Sequence, residues 1–427
     1  MPMQWFDWII IPVHALTILL VALSLVPLLV WLERKASAYI QDRPGPERAA
    51  VGPFRLAGLF HLIADAIKML TKEDIIPAGA NRFFYVLAPM IVVAVGFTTV
   101  MCVPFFGNVD LRAWGGPRIS GAVIDIDPGI LWFFAIASLT VYGIIFAGWS
   151  SGSKYALLGA MRASAAVLSY EIPMGLSVIG PLMMYQSVNL STISEWQGHH
   201  MWGICYQPLA AIIFTVCGFA ETNRVPFDLA ESESELVAGY HTEYSSMKFG
   251  MFFLGEYVAM VVSSCLIVTL FLGGYQVPLL PTEALIANAK PVLEWSLGIA
   301  FGLGLALTAM FLVNFASNVG RWKDWRDYES LILGILVLGG AVTALGGLFL
   351  VMALQLPAWF GVAFAGLAQF GMFTAKLLLL CWVFVWVRWT LPRFRYDQVM
   401  NLGWRSLLPL ALVNILLTGV LIPVLMP

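Results

Sequence analysis

The sequence predicts an all-α protein, a polytopic bundle of transmembrane helices. Hydrophobic residues make up 60% of the 427-residue chain and charged residues only 11%, with a mean hydropathy of +0.85. Soluble domains carry about 25% charged residues, so this chain lacks the polar surface that a soluble fold of its length needs. A net charge of −2 also argues against a nucleic-acid partner, which would require a basic surface.

Ten apolar stretches are candidates for membrane spans, for which about 20 residues are needed. The first has no basic flank of the kind that precedes a cleaved signal peptide, so we expect it to remain as a helix. The fifth is the shortest. The ten cover 9–31, 84–106, 129–149, 164–186, 206–221, 248–272, 293–316, 331–355, 361–389 and 405–426.

The distribution of Lys and Arg predicts how these spans are oriented. Nineteen of the 23 basic residues lie in one set of loops and the adjoining span ends, three lie in the opposite loops, and Lys376 lies within a span. Basic loops are retained in the cytoplasm. The first set of loops is therefore expected to be cytoplasmic, with both chain termini on the opposite face of the membrane.

The first cytoplasmic loop contains an amphipathic pattern, from which we predict a helix over 53–73. Apolar residues recur there at steps of three and four, and charged residues take positions between them. Such a helix lies in the membrane interface or packs on the bundle, and the pattern does not separate these two. The apolar positions are Leu56, Leu59, Phe60, Ile63, Ile67 and Leu70, and the charged ones are Arg55, Asp65, Lys68 and Lys72.

Motifs that hold redox cofactors are absent from the sequence. The five cysteines are scattered through apolar stretches without a Cys-x-x-Cys pair, which argues against a zinc site, an iron–sulfur cluster or a disulfide framework. The chain also lacks the glycine-rich motifs of nucleotide sites. We therefore expect no metal and no bound redox cofactor, and we interpret the cysteines as small buried residues.

The loop after the fifth span, 221–247, is strongly acidic, with six carboxylates against the single Arg224. Carboxylates this close raise one another's pKa values and titrate as a coupled set, which can exchange protons near neutral pH. A solvated acidic loop has the same composition, so the residues alone leave both interpretations open. The six are Glu221, Asp228, Glu231, Glu233, Glu235 and Glu243.

Three charged residues lie inside predicted spans, where a charge costs about 2.5–3.5 kcal/mol at the bilayer centre. Glu171 lies in the fourth span, Glu256 in the sixth and Lys376 in the ninth. Because such a cost is rarely accepted without a role, these residues predict either a proton relay or ion pairs that fix the packing of helices. The residues alone do not decide between the two.

Two arginines, Arg34 and Arg43, lie between the first span and the predicted amphipathic helix. Arg43 is followed by a Pro-Gly-Pro turn over 44–46, which is non-helical and redirects the chain. These guanidinium groups are suited to orienting an oxygen-bearing head group at the membrane surface. Basic residues that only keep the loop in the cytoplasm would have the same pattern.

Five long stretches of the chain resemble the H-type membrane subunit of bacterial NADH–quinone oxidoreductase, which is the subunit of respiratory complex I that carries the quinone site. They follow one another in the family's order and together extend over most of the chain. The stretches are ERKASAYIQDRPGP (33–46), ADAIKMLTKEDIIPAGA (64–80), FAGWSSGSKYALLGAMRASAAVLSYE (146–171), AETNRVPFDLAESESELVAGYHTEYSSMKFGMFFLGEY (220–257) and LPRFRYDQVMNLGWRSLLPLAL (391–412).

The resemblance implies a multi-pass subunit of the bacterial cytoplasmic (inner) membrane, with periplasmic termini, that couples quinone reduction to proton translocation. It implies quinone, such as ubiquinone, as the substrate, and electrons supplied by an iron–sulfur cluster in a partner subunit. Expected partners are the peripheral iron–sulfur and quinone-site subunits, adjacent small membrane subunits and lipid. By motif, the quinone chamber would include Arg34, Arg43, Asp65 and Glu73, and the proton path Glu171, Glu221, Asp228, Glu231, Glu233, Glu235, Glu256 and Lys376.

The chain departs from the family's usual pattern in three places. It is five residues longer between Arg48 and Asp65, with His61 in place of a glutamine, so Arg55 is expected to add a surface contact. Ala230 stands where a proline is usual. The third departure is an insert over 282–358, which supplies two spans beyond the family's usual eight and is expected at the bundle periphery, against lipid or a neighbouring subunit.

Two other functions have to be weighed against the oxidoreductase subunit. The homologous membrane subunit of a membrane-bound hydrogenase would share much of the pattern, although the QDRPGP and RYDQVM stretches favour the quinone type. A stand-alone ion transporter is typically built from inverted repeats of broken helices, and we find no internal repeat. The chain has no complete active site of its own and is expected to act as part of an enzyme complex.

Overall fold

The structure is a computed structural model that describes residues 7–43, 45–51, 54–112, 118–229, 237–278, 280–318 and 328–425. The described chain is almost entirely helical, which confirms the predicted all-α polytopic fold. Its helices are α1 (Asp7–Ile40), α2 (Phe60–Thr71), α3 (Arg82–Val100), α4 (Gly129–Ala137), α5 (Thr140–Ser150), α6 (Lys154–Tyr185), α7 (Leu190–His199), α8 (Gly203–Tyr206), α9 (Pro208–Glu221), α10 (Ser246–Phe271), α11 (Thr282–Ala287), α12 (Ala289–Asn318), α13 (Glu329–Ala353), α14 (Ala358–Thr390), α15 (Tyr396–Asn401) and α16 (Leu408–Leu425).

Four short elements complete the described secondary structure. The 3₁₀ turns Leu56–Gly58 and Gly239–His241 precede α2 and α10, and a π-helical turn, Leu402–Leu407, joins α15 to α16. The strands β1 (Val109–Asp110) and β2 (Arg118–Ile119) pair antiparallel in the loop after α3. That ribbon is the one sheet within the described residues.

Among the described residues, nine helices or helix pairs are long and apolar enough to cross a membrane. The fifth predicted span, 206–221, differs because α9 has only 14 residues, or about 21 Å at 1.5 Å per residue, whereas the hydrocarbon core is about 30 Å thick. Gln207 has a non-helical backbone that separates α8 from α9. The fifth prediction therefore corresponds to an apolar helix that is shorter than the other nine predicted spans.

Helix α10 forms the centre of the bundle. About 72% of its most apolar window is buried, and α1, α3, α9 and α14 all pack against it. Its outer half places small polar residues, including Ser263, Ser264 and Thr269, in the interior. Thr269 donates its hydroxyl to the carbonyl of Cys265 at 2.8 Å, and the hydroxyl of Ser264 accepts from the thiol of Cys381 at 3.7 Å.

The amphipathic helix begins later than the sequence pattern suggests. The predicted helix covers 53–73, whereas α2 begins at Phe60, because Leu56 and Ala57 adopt left-handed backbone angles (φ 45° and 53°). L residues in that region cannot continue a right-handed helix. The apolar row of Ile63, Ile67 and Leu70 is 55–71% exposed in the isolated chain, so this face is available to lipid, ligand or a partner subunit.

Within 282–358, the segment expected to be an insert, α12 and α13 form a helical hairpin whose surfaces are mostly turned away from the rest of the chain. Only about 6% of the apolar window of each helix is buried. The two helices pack closely on each other where Gly304 faces Ala341. At the outer end the ammonium of Lys290 donates to the carbonyls of Met352 (3.3 Å) and Leu354 (3.1 Å), which closes the hairpin.

The cysteines follow the prediction with one correction. Cys102, Cys217, Cys265 and Cys381 are buried, but Cys205 is exposed. Cys205 lies in the four-residue helix α8, which is too short to turn one whole face toward the core. All five thiols are free.

Candidate functional site

Three consecutive charged residues near the inner end of α1 face different surroundings. Successive residues of an α-helix are turned by about 100°, so Glu33 faces the bundle interior while Arg34 faces outward. Glu33 is 5% exposed as a residue, whereas the Arg34 side chain is 44% exposed. Lys35 is buried and pairs with Glu47 at 3.0 Å. The sequence of α1 thus places a surface cation directly beside a buried carboxylate.

On the surface side, Arg34 joins α1 to the amphipathic helix. Its Nη1 lies 2.5 Å from Oδ2 of Asp65, and Lys68 contacts the other oxygen of Asp65 at 3.4 Å. A cavity of about 340 Å³ lies beside this pair and is lined by residues that include Arg34, Arg43, Arg48 and His61. A cationic cavity next to the exposed apolar face of α2 suits a ligand with an oxygen-bearing head and an apolar tail.

On the buried side, Glu33 is the centre of a group of charges that we name the central charge cluster: Glu33, Arg224, Glu256, Tyr257, His241 and Arg388. Arg224 Nη1 lies 3.0 Å from Glu33 Oε2, the hydroxyl of Tyr257 donates to the same oxygen at 2.7 Å, and Arg388 pairs with Oε1. The Arg224 guanidinium also lies 3.7 Å from the centre of the Tyr257 ring. One buried carboxylate therefore compensates two guanidinium groups.

The cluster continues through Arg224 to a second carboxylate. Arg224 Nε lies 3.9 Å from Oε2 of Glu256, and His241 Nε2 lies 3.9 Å from Oε1 of Glu256. Burial lowers the pKa of Arg224, but Tyr257, Glu33 and Glu256 outweigh this effect and raise it above its ordinary value. Arg224 therefore stays charged, and it ties the two carboxylates together electrostatically.

Asp228 is held by a separate ion pair in the same loop. Its carboxylate is 4% exposed and lies 2.7 Å from Nη2 of Arg393, which follows α14. The amide of Phe394 also donates to the carbonyl of Pro226 at 3.0 Å. These contacts fix the loop after α9 against the segment that leads to α15.

Glu171 and Glu221 lie on helices α6 and α9, which pack against each other. Their carboxylates interact electrostatically. Glu171 also lines a groove of about 500 Å³ between α4 and α6, whose other lining is apolar apart from Ser138. A carboxylate in such a groove is expected to face a further polar group when the chain is assembled with its neighbours.

The remaining predicted site residues are placed as follows. Glu73 is exposed in the loop after α2, and its carbonyl accepts a hydrogen bond from Ser245 at 3.3 Å. Arg43 is exposed and donates to Gln41 at 2.7 Å. The predictions for Glu231, Glu233 and Glu235 lie outside the described residues.

Lys376 lies at the outer end of α10 rather than beside the acidic residues. Its ammonium donates to the carbonyls of Leu272 (2.8 Å), Gly274 (3.0 Å) and Gln276 (2.8 Å), and it lies 4.7 Å from the centre of the Trp202 ring. Leu272 is the C-cap residue of α10, and Gly274 and Gln276 lie in the loop beyond it, so Lys376 holds the end of α10 and this loop against α14. Its place in the proton path stays a prediction.

We expect Lys376→Met to lower the stability of the subunit by about 1–3 kcal/mol, because three buried carbonyls lose a charged donor. The thermal unfolding of the purified complex in detergent measures this loss. Lys376→Gln, which retains an amide donor, is the matched control and should lose less. Equal stability of the methionine variant and the wild type would contradict this anchoring role of Lys376.

Sequence reasoning did not identify the central charge cluster. Glu33 was part of a recognised stretch, but its partners Arg224 and Arg388 are 191 and 355 residues away along the chain. The signal available was the position of Glu33, which completes a charged triplet at the end of a span and so must point inward. The spacing of residues in the sequence does not show which basic side chains Glu33 contacts.

Comparison with known proteins supports one family. The family model described as NADH dehydrogenase matches residues 13–323 and 325–419. An H-type subunit of NADH-quinone oxidoreductase from Bdellovibrio bacteriovorus is 38% identical over 428 residues, covering 95% of this chain and 94% of that protein.

Two further relatives agree with this result. A Rhodothermus marinus protein named NADH-quinone oxidoreductase subunit 8 is 41% identical over 393 residues, covering 91% of this chain and 90% of its own length. An H-type subunit of the same enzyme from Flavobacterium johnsoniae is 37% identical over 414 residues, covering 97% and 94%. The match of the family model and the near-complete coverage of these relatives show that the chain belongs to the NADH dehydrogenase family, together with the H-type membrane subunits of NADH-quinone oxidoreductase.

Proposed function

We propose that this multi-pass membrane protein is the subunit of a proton-translocating NADH–quinone oxidoreductase that forms much of the quinone chamber and connects it to an acidic proton path. The observation that carries the proposal is the adjacency of Arg34 and Glu33. Arg34 lines the cationic cavity, and Glu33 is the centre of the buried charge cluster. One turn of α1 therefore joins the cationic cavity to the central charge cluster.

The cavity provides the quinone chamber in this account. Arg34, Arg43 and Arg48 supply donors for quinone oxygens, and the exposed apolar face of α2 accepts the apolar tail. Asp65 holds Arg34 in place, and we place Glu73 at the outer edge of the same region. Electrons come from an iron–sulfur cluster of a partner subunit, while this chain binds and orients the quinone.

The proton path begins at the central charge cluster. A unit charge that forms in the cavity shifts the energy of a carboxylate about 10 Å away by about 1.5–2 kcal/mol at an effective dielectric constant of about 20. That is enough to change a carboxylate's proton affinity by about tenfold. We place Glu33, Glu256, Asp228, Glu221 and Glu171 on this path, and the loop carboxylates Glu231, Glu233 and Glu235 beside it.

Assembly and orientation follow from the same proposal. The basic loops face the cytoplasm, the termini face the periplasm, and the subunit lies in the bacterial cytoplasmic membrane. Its partners are the peripheral iron–sulfur and quinone-site subunits and the adjacent small membrane subunits. The names of the relatives support the oxidoreductase rather than a hydrogenase subunit or a stand-alone transporter.

The chamber is tested by Arg34→Ala in the assembled complex. We expect the KM for decylubiquinone to rise about five- to tenfold, because a charged donor to the quinone is lost. Asp65→Asn should give a smaller rise, since Arg34 then loses its partner but keeps its charge. The exposed Arg34–Asp65 pair contributes less than about 1 kcal/mol to stability, so assembly should be normal.

Lys72→Ala is the matched control, because Lys72 is a basic residue at the end of α2 that does not line the cavity. Its KM should equal that of the wild type. An unchanged KM in Arg34→Ala, with normal assembly, would remove Arg34 from the chamber.

A further inference from the structure

The two segments in which the resemblance implies extra length meet in space. One is the stretch that precedes α2, which contains Arg55, and the other is the insert, which contains Glu329. These residues are 274 positions apart in sequence and form an ion pair of 3.1 Å between Arg55 Nε and Glu329 Oε2. Their side chains are only 17% and 10% exposed, so Arg55 makes a largely buried internal contact and not the surface contact expected from the sequence.

The carboxylate of Glu329 binds the backbone of this stretch as well as the side chain of Arg55. Its Oε1 accepts hydrogen bonds from the amides of Arg55 (2.9 Å) and Leu56 (2.6 Å). Two consecutive amides that point to one carboxylate oxygen require a tight local backbone, and Leu56 and Ala57 both have the left-handed angles that such a turn needs. Since L residues disfavour these angles, the turn depends on the group that binds its amides.

The turn is connected to the cationic cavity by short contacts. The indole of Trp31 donates to the carbonyl of Ala57 at 2.9 Å, and His61 Nδ1 lies 3.1 Å from the carbonyl of Gly58. Gly58 has φ +92° and is packed so tightly on the carbonyl of Pro46 that no Cβ would fit. Pro46 and His61 line the cavity, so a movement of the turn is transmitted to its wall.

The hairpin that carries Glu329 is suited to hold it in one position. Helices α12 and α13 pack along their length, and Lys290 closes the far end. Glu329 is the first residue of α13, and it lies at the end of the hairpin that contacts the turn at 55–58. The remainder of the hairpin contributes little to the core.

We propose that Glu329 is a positioning residue for quinone binding: the inserted hairpin α12–α13 clamps the turn 55–58 and thereby sets the wall of the cavity formed by Pro46 and His61. This inference rests on the proposed function, because it assigns the cavity to quinone. The hairpin is then more than a lipid-facing addition to the bundle. It adds a contact to the segment before α2, which Trp31 and Pro46 also hold.

The test compares Glu329→Ala with Glu329→Gln and with Glu294→Ala in the full assembled complex. Glu294 is a carboxylate of the same hairpin near the opposite end of α12. We expect Glu329→Ala to raise the KM for decylubiquinone about five- to tenfold while kcat stays within about twofold. Glu329→Gln keeps an acceptor for the two amides, so its KM should stay close to that of the wild type. The KM of Glu294→Ala should equal that of the wild type.

Hydrogen exchange measured on peptides that cover 54–60 gives a second readout that does not depend on quinone. Exchange should be accelerated in Glu329→Ala and not in Glu294→Ala. Unchanged exchange, or accelerated exchange with an unchanged KM, overturns the inference. If Arg34→Ala raises the KM and Glu329→Ala does not, only this inference fails, whereas an unchanged KM in both variants removes the proposed chamber itself.

Discussion

Replacing Glu33 with alanine is expected to destabilise the subunit by about 3–5 kcal/mol and to reduce quinone reductase activity more than tenfold. Glu33 compensates Arg224 and Arg388, both of which it contacts directly. Removing one partner of a buried ion pair leaves an uncompensated charge in a medium that solvates it poorly. Here Arg388 loses the carboxylate that it contacts, Arg224 keeps only the more distant Glu256 at 3.9 Å, and the hydroxyl of Tyr257 loses its acceptor.

The thermal unfolding and the NADH:quinone activity of the purified complex measure these effects. Glu33→Gln keeps the volume and an acceptor for Tyr257 but not the charge, so it should lie between alanine and the wild type in stability. Asp74→Ala is the control, because Asp74 is half-exposed and pairs with Lys248 at 2.8 Å, where the expected loss is below about 1 kcal/mol. Equal losses at Glu33 and Asp74 would show that Glu33 does not compensate the two arginines.

The second large effect is expected for Glu221→Gln, which should reduce proton pumping coupled to quinone reduction by more than tenfold. Glu221 ends α9 just before the loop that carries Arg224, and its carboxylate interacts with that of Glu171. Glutamine keeps the shape and much of the hydrogen bonding of glutamate but has no proton to exchange at neutral pH. A path that runs through this position is therefore interrupted without a large change in packing.

The matched control is Glu243→Gln, since Glu243 belongs to the same acidic loop but is not placed on the path. Its carbonyl accepts a hydrogen bond from Tyr85 at 2.6 Å, and this contact is unaffected by the substitution. Wild-type coupled activity in assembled Glu221→Gln membranes, measured beside this control, would contradict the proposed route.

Most of the fold could be predicted because lipid imposes simple rules on sequence. Apolar length fixes the long helices, and nine of the ten predicted spans correspond to such helices. The tenth, 206–221, corresponds to the shorter apolar helix α9, because the pattern of hydropathy does not register the break at Gln207. The start of α2 was misplaced for a related reason, since left-handed angles at Leu56 and Ala57 have no compositional signal when neither residue is glycine.

The site could be predicted only as far as motifs extend. Arg34 and Asp65 were assigned to one region through resemblance, and the structure joins them at 2.5 Å. The contact of Glu33 with Arg388 connects α1 to α14, and no local periodicity reports such a pairing. The contact of Arg55 with Glu329 could not be predicted either, because the two residues are 274 positions apart in sequence.

If α1 connects a quinone chamber to a proton path, the two parts should be separable in the proton-to-quinol ratio of reconstituted vesicles. We expect Arg34→Ala to raise the quinone KM and to leave the ratio unchanged at saturating quinone. We expect Glu221→Gln to leave the KM unchanged and to lower the rate of coupled pumping more than tenfold. A wild-type ratio and rate in Glu221→Gln, or a lowered ratio in Arg34→Ala at saturation, would contradict the separation of chamber and path.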